Sequence, residues 1–166
     1  LKIIGAGQDN TFIQGGGFEI KGKKEKGKKV ELKDMTIKGS SECGLLAFNG
    51  LSFLCKDMTF TQCGWHGVIA MNTKGRLINC VITQCGRSGI YCDRNALIQL
   101  EGDQTKVDGN GTRGRGYHSS CYGLFTDDTS STIHLLFPLT KESVSTNNQG
   151  GQNYSGNGTI QTVNSF

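Results

Sequence analysis

Two groups of residues carry side chains able to do chemistry. The first is a basic run, Lys21, Lys23, Lys24, Lys26, Lys28 and Lys29, interrupted by Gly22, Glu25 and Gly27, and it holds six of the eighteen basic side chains of a chain with net charge +4. Like charges at this density repel and keep a segment extended and hydrated. The run is therefore either a solvated turn or a patch for an anion: an acidic polysaccharide, a phosphate or an acidic protein surface. Nucleic acid is disfavoured, because no aromatic residues are interleaved to stack on bases. The second group is Trp65, His66, Arg87, Tyr91 and Asp93, an aromatic, imidazole, guanidinium and carboxylate set in which Trp65 and Arg87 stand about 22 residues apart. Arg113, Arg115, Tyr117 and His118 join it from a Gly-rich stretch. Such a set suits recognition of a sugar face or a protein surface, provided something brings it together.

A repeat with that spacing supplies the means. Val30-Glu31-Leu32-Lys33-Asp34-Met35-Thr36-Ile37 returns as Phe53-Leu54-Cys55-Lys56-Asp57-Met58-Thr59-Phe60, then as Gly75-Arg76-Leu77-Ile78-Asn79-Cys80-Val81-Ile82. Each copy runs through a polar turn into a Gly and an apolar burst: Gly44-Leu45-Leu46-Ala47, Gly67-Val68-Ile69-Ala70 and Gly89-Ile90-Tyr91-Cys92. Apolar columns two residues apart (35 and 37, 45 and 47) are the alternation of strands. One unit is too small to bury a core, so successive units must stack and share an interior. The fold class is therefore all-β, a single-stranded right-handed parallel β-helix of about six coils of 22–23 residues. In this stack the Gly before each burst allows a tight or positive-φ corner, and Asp34, Asp57 and Asn79 form a polar ladder.

One domain spans 1–166. Residues 1–29 are a degenerate first coil and the Lys-rich loop, 30–95 three regular coils, and 96–139 later coils with a loop inserted near 103–122. The last part, 140–166, is a Gly/Asn/Ser-rich tail with a final strand. The insertion follows from spacing: Gly123-Leu124-Phe125 comes 34 residues after Gly89, about twelve too many, and the excursion is read as 110–118. Loops bulging from a solenoid are where binding residues tend to sit. The tail to Gly158 has little to bury and reads as loop or weakly ordered. In the stack, Glu42, Trp65 and Arg87 form one column, Cys43, His66, Ser88 and Tyr122 its neighbour, and Leu46, Ile69 and Tyr91 face outward with Phe48, Met71 and Asp93.

At Ile4-Gly5-Ala6-Gly7 and Ile13-Gln14-Gly15, together with the later coils, the chain resembles the pectate-lyase-like (pectin lyase fold) right-handed β-helix proteins, in which such a coil opens the stack. The His134 segment and the Thr-Ile-Gln-Thr-Val-Asn ending are similar to repeat proteins of this class from microalgae and their viruses. The resemblance implies a class rich in lyases, hydrolases, esterases and epimerases of acidic polysaccharides, so activity must be argued from the site. Trp65-His66-Gly67 resembles the Gly-His-Gly of the polygalacturonase-like hydrolases, and Asp127-Asp128 their paired aspartates. Here, however, the order is reversed, and Asn72-Thr73-Lys74 lacks the acid of their Asn-Thr-Asp. Acid and base must face one sugar bond, whereas positions 66 and 127 fall about two coils apart.

No cofactor or metal is expected. Gly5-Ala6-Gly7 lacks the complete spacing and following helix of a phosphate loop, and no Cys-x-x-Cys suggests zinc. The seven cysteines are odd in number and fall in core columns, which argues against a disulfide framework; Cys63 and Cys85, one coil apart, are stacked thiols or a bridge. A reducing compartment is preferred, against three sequons at Asn110, Asn153 and Asn157. No apolar run is long enough to span a membrane. The chain begins at Leu1 without Met or a recognisable signal, as a processed product or fragment would. The expected function is a non-catalytic binding or scaffold module, a subunit or accessory of a larger assembly, with a protein partner or an acidic polysaccharide. The alternative is a polysaccharide-active enzyme using the groove near Trp65, His66, Arg87, Tyr91 and Asp93.

Overall fold

The computed structural model describes residues 1–114, 121–149 and 152–166. Among these described residues the strands pair in parallel throughout, in two sheets of eleven and six strands. The long repeat segments Lys29–Lys38 and Ser52–Thr61 lie side by side in the larger sheet, followed by Lys74–Ile78 with Val81–Thr83, and by Leu97–Glu101 with Lys106–Asp108. The smaller sheet stacks Phe18–Lys21, Leu45–Phe48, Val68–Met71, Ile90–Asp93, Leu124–Thr126 and Tyr154–Gly156, one strand per coil. This is the expected single-stranded parallel β-helix of about six coils, each about 4.8 Å above the last.

The register matches the repeat column by column. Leu32 pairs with Cys55 and Cys55 with Leu77; Leu45, Val68 and Ile90 form another row. All six are fully buried. Each large apolar side chain so enclosed contributes roughly 1.5–3 kcal/mol against its exposed state, which is how small coils acquire a common core.

The corners explain the polar repeats. Asp34, Asp57 and Asn79 take φ of 58°, 52° and 50°, left-handed values that Asp and Asn tolerate better than most residues, and each bends a strand into two arms. A second left-handed column comprises Gly39, Gln62, Gln84, Gly109 and Asn147. The glycines before the apolar bursts do something else. Gly44, Gly67 and Gly89 have ordinary φ, and what requires them is close approach: a Cβ on Gly67 would lie 2.3 Å from Ile82 Cγ2, and one on Gly89 2.4 Å from Val107 Cγ1.

Two segments differ from the sequence expectation. Asn110, assigned by spacing to the excursion, is 1% exposed and belongs to the stack. Its amide Nδ2 donates to the Ile82 carbonyl (3.0 Å) and to Asn148 Oδ1 (3.1 Å), while its Oδ1 accepts from Cys85 N (3.1 Å). The insertion thus begins beyond it. The stretch 140–158 contributes a further coil: Thr140 caps the short helix Lys141–Val144 with a capping box, Ser145–Thr146 pairs with Val107–Asp108, and Tyr154–Gly156 closes the smaller sheet. Val144 joins the hydrophobic core, and buried Asn148 donates its amide to Val107 O (3.2 Å), Ser145 Oγ (3.0 Å) and Asn153 Oδ1 (3.1 Å), so the segment is held in the stack although its composition is polar.

Candidate functional site

Residues 22–28 cross a corner of the solenoid and enclose a cleft of about 640 Å³. Two glycine contacts seat this loop. Leu51 N donates to the Gly22 carbonyl (2.9 Å), and Gly50, at φ 102°, lets the Lys24 main chain approach so closely that a Cβ would sit 3.0 Å from Lys24 N. The loop turns on a Lys28 N to Glu25 carbonyl bond (3.2 Å) with Gly27 at φ 75°.

Five of the six expected lysines, Lys23, Lys24, Lys26, Lys28 and Lys29, line the cleft. Lys21 does not; its ammonium lies 5.5 Å over the Phe48 ring. Lys74 completes the set from two coils on, reached through the register Lys29, Ser52, Lys74. Lys74 is remote in sequence from the basic run, and its signal lies in the repeat, which sets it two coils above Lys29. Asn49, Asn72 and Asn95 offer amides from three successive corners. Glu25, also in the lining, is ion-paired to Lys28. Lys29 Nζ lies 3.0 Å from Glu31 Oε1, and that hydrogen bond holds the Glu31 carboxyl below its usual range. The remaining ammonium groups are exposed, so their shared positive field reaches about a Debye length of 8 Å at physiological salt.

At the other end of the smaller sheet, main-chain bonds stack the predicted aromatic edge: Trp65 N donates to Glu42 O (2.9 Å) and Arg87 N to Trp65 O (2.8 Å). The Arg87 guanidinium lies 4.6 Å over the Trp65 ring, which is 37% exposed. His66 is buried, its ring 4.8 Å from that of Tyr91. Tyr91 leads on to Phe125 (5.6 Å) and Phe125 to Tyr122 (5.3 Å), an aromatic run only partly visible in sequence. Tyr91 Oη donates to Asp127 Oδ2 at 2.5 Å. Burial first, and then the Asp127 carboxylate, push the phenol well above its ordinary range.

Arg113 packs against the corner below, where a Cβ on Gly86 would meet its Cδ and Nε at 3.1 Å. Asp93 sits at the far end of its strand, its Oδ1 accepting from Arg94 N (2.8 Å). Arg115, Tyr117 and His118 lie outside the described residues. The structure therefore joins Trp65, His66, Arg87 and Tyr91, sets Arg113 at a neighbouring corner, and leaves Asp93 toward the Lys-rich end.

The adjacent aspartates diverge. Asp127 faces Tyr91, whereas Asp128 accepts from the Ser130 (2.6 Å) and Ser131 hydroxyls, which hold its carboxyl below the usual range. Such an arrangement can orient and bind; an acid–base pair across one bond is not what these two carboxylates form. Among the described residues no three His, Cys, Asp or Glu converge as metal ligands, and no helix is long and apolar enough to cross a membrane. All seven cysteines are free thiols, and Cys63 and Cys85 are stacked on adjacent coils.

Residues 6–166 match the family described as right handed beta helix region. No curated protein and no solved structure matches the chain.

Proposed function

We propose, from the premise that this chain belongs to the right-handed β-helix family, that it works as a non-catalytic binding or scaffold module whose ligand is an acidic polysaccharide. The observation that carries this is the cleft of about 640 Å³ in which four lysines of one loop, Lys23, Lys24, Lys26 and Lys28, meet Lys29 and Lys74 of the adjoining strands. Opposite charge concentrated in a concave site raises both encounter rate and affinity for a polyanion. The resemblance of the first coil to pectate-lyase-like proteins agrees with a glycan ligand, and the seven free thiols agree with work in a reducing compartment. A role within a larger assembly is consistent with strand edges at the ends of the stack, which favour pairing unless covered.

A second reading, a polysaccharide-active enzyme, is favoured by one observation: His66, Tyr91 and Asp127 touch in sequence across successive coils. Incubation with polyuronates and sulfated polysaccharides separates the two. Binding without release of unsaturated or reducing ends is the expected result. Release that His66→Ala abolishes would establish the enzyme, and retention of an acidic protein in place of any glycan would move the ligand to protein.

A further inference from the structure

The parallel register does more than gather charges; it arranges them in a line. Lys29, Ser52 and Lys74 occupy one row of three successive coils, so Lys29 and Lys74 stand two spacings apart, roughly 10 Å along the stacking axis. Asn49, Asn72 and Asn95 climb the same corner beside them. The Lys23–Lys28 loop forms the opposite wall, seated on Gly50 and Leu51. Among the described residues the lining contains ammonium, amide and hydroxyl groups, one carboxylate, Glu25, neutralised by its ion pair with Lys28, and no aromatic ring. Amides and hydroxyls complement sugar hydroxyls, whereas single-stranded nucleic acid is normally held by base stacking on aromatics.

We infer that the cleft takes a linear anionic polysaccharide laid along the stacking axis, with Lys29 and Lys74 meeting charged groups separated by two coils. A compact anion can meet only part of this row. The inference rests on the binding-module reading and specifies how that site reads its ligand. Carboxylate and sulfate-ester chains share the required chemistry, and the test includes both.

The experiment is calorimetric titration at low salt of the whole chain and of Lys74→Gln, with oligouronates and sulfated oligosaccharides of increasing length. Inositol hexaphosphate, tripolyphosphate and single-stranded oligonucleotides are the comparison anions, and Lys21→Gln is the control. Affinity should climb with glycan length until the chain spans the row, then level off. Lys74→Gln should weaken long chains by roughly two- to fivefold, as an exposed charge contact does, and leave the shortest unchanged; Lys21→Gln should alter neither. Compact anions that bind as tightly as long chains, or a Lys74→Gln loss equal at every length, would overturn the axial arrangement while leaving the binding module standing. Tighter binding of oligonucleotides at equal charge would overturn the polysaccharide. If no anion of any kind binds, the binding reading of the cleft falls with it.

Discussion

Gly75 offers a stringent test of the stacking argument. It stands in the row Val30, Phe53, Gly75, Ile98, Ile133, where every other member is a large buried side chain. Phe53, 3% exposed, fills the space that Gly75 leaves: a Cβ added at Gly75 would lie 2.1, 2.5 and 2.6 Å from three atoms of its ring. Gly75 has an ordinary φ, so alanine there meets a steric obstacle and no backbone one. Forcing the ring aside should cost about 1–3 kcal/mol, offset by about 0.4–1 kcal/mol because alanine restricts the unfolded chain. Gly75→Ala should therefore destabilise by about 1–2 kcal/mol, a fall of roughly 2–8 °C in Tm for a chain of this size. Phe53→Leu alone should also destabilise, by opening a void over the glycine. The double variant should recover most of the loss, with a coupling of about 1 kcal/mol or more. Urea unfolding followed by both tryptophan fluorescence and circular dichroism measures this, coincident transitions licensing the two-state conversion. A neutral Gly75→Ala, or costs that add to within about 0.5 kcal/mol, would refute the idea that the two positions share one volume.

Three further outcomes are expected. Glu25→Gln removes the carboxylate ion-paired to Lys28 inside the cleft, so polyanion affinity at low salt should rise about two- to fivefold, and calorimetric titration showing a loss would contradict the charge argument. Asn110→Ala leaves Cys85 N, the Ile82 carbonyl and Asn148 short of partners in a buried place, which should cost about 2–4 kcal/mol in urea unfolding; a loss below about 0.5 kcal/mol would mean the amide stack is dispensable. Burial pushes the Cys43 thiol up to about 11 and the Cys80 thiol up to about 12 from an ordinary 9.0. The unfolded chain thus releases these protons first, so their contribution is intact below pH 9 and declines as pH rises toward the folded values. The urea midpoint should fall between pH 8 and 10.5, with a shallower fall in Cys43→Ala; identical slopes would remove that thiol from the account.

Much of the candidate site was legible once the repeat was aligned. Trp65 and Arg87 are distant in sequence yet adjacent because one coil's residue sits above another's, whereas the His66–Tyr91 ring contact crosses columns, Tyr91 itself pairing with Ile69. The same alignment places Lys29 and Lys74 in one row, although a search for charge runs finds only the first. Asp127 against Tyr91 was not legible, because that contact crosses the insertion and depends on where the chain re-enters the stack. Asn110 was misplaced for a similar reason: in a Gly-rich stretch, composition argues for a loop, whereas buried hydrogen bonds from its side chain and its main-chain N hold it in the column.

By itself the sequence determined the architecture. Apolar residues recurring at two-residue spacing inside a unit of about 22 admit little other than stacked parallel coils, since no single coil can exclude water alone. Tertiary structure decided matters of volume and of polar partnership: that Phe53 fills the space over Gly75, that the glycines before the bursts serve close approach and not left-handed φ, and that the lysine loop closes over a corner to make a cleft. These depend on which side chains meet once the coils are superposed, and packing at crystal-like density makes such meetings sensitive to single atoms in a way that periodicity does not encode.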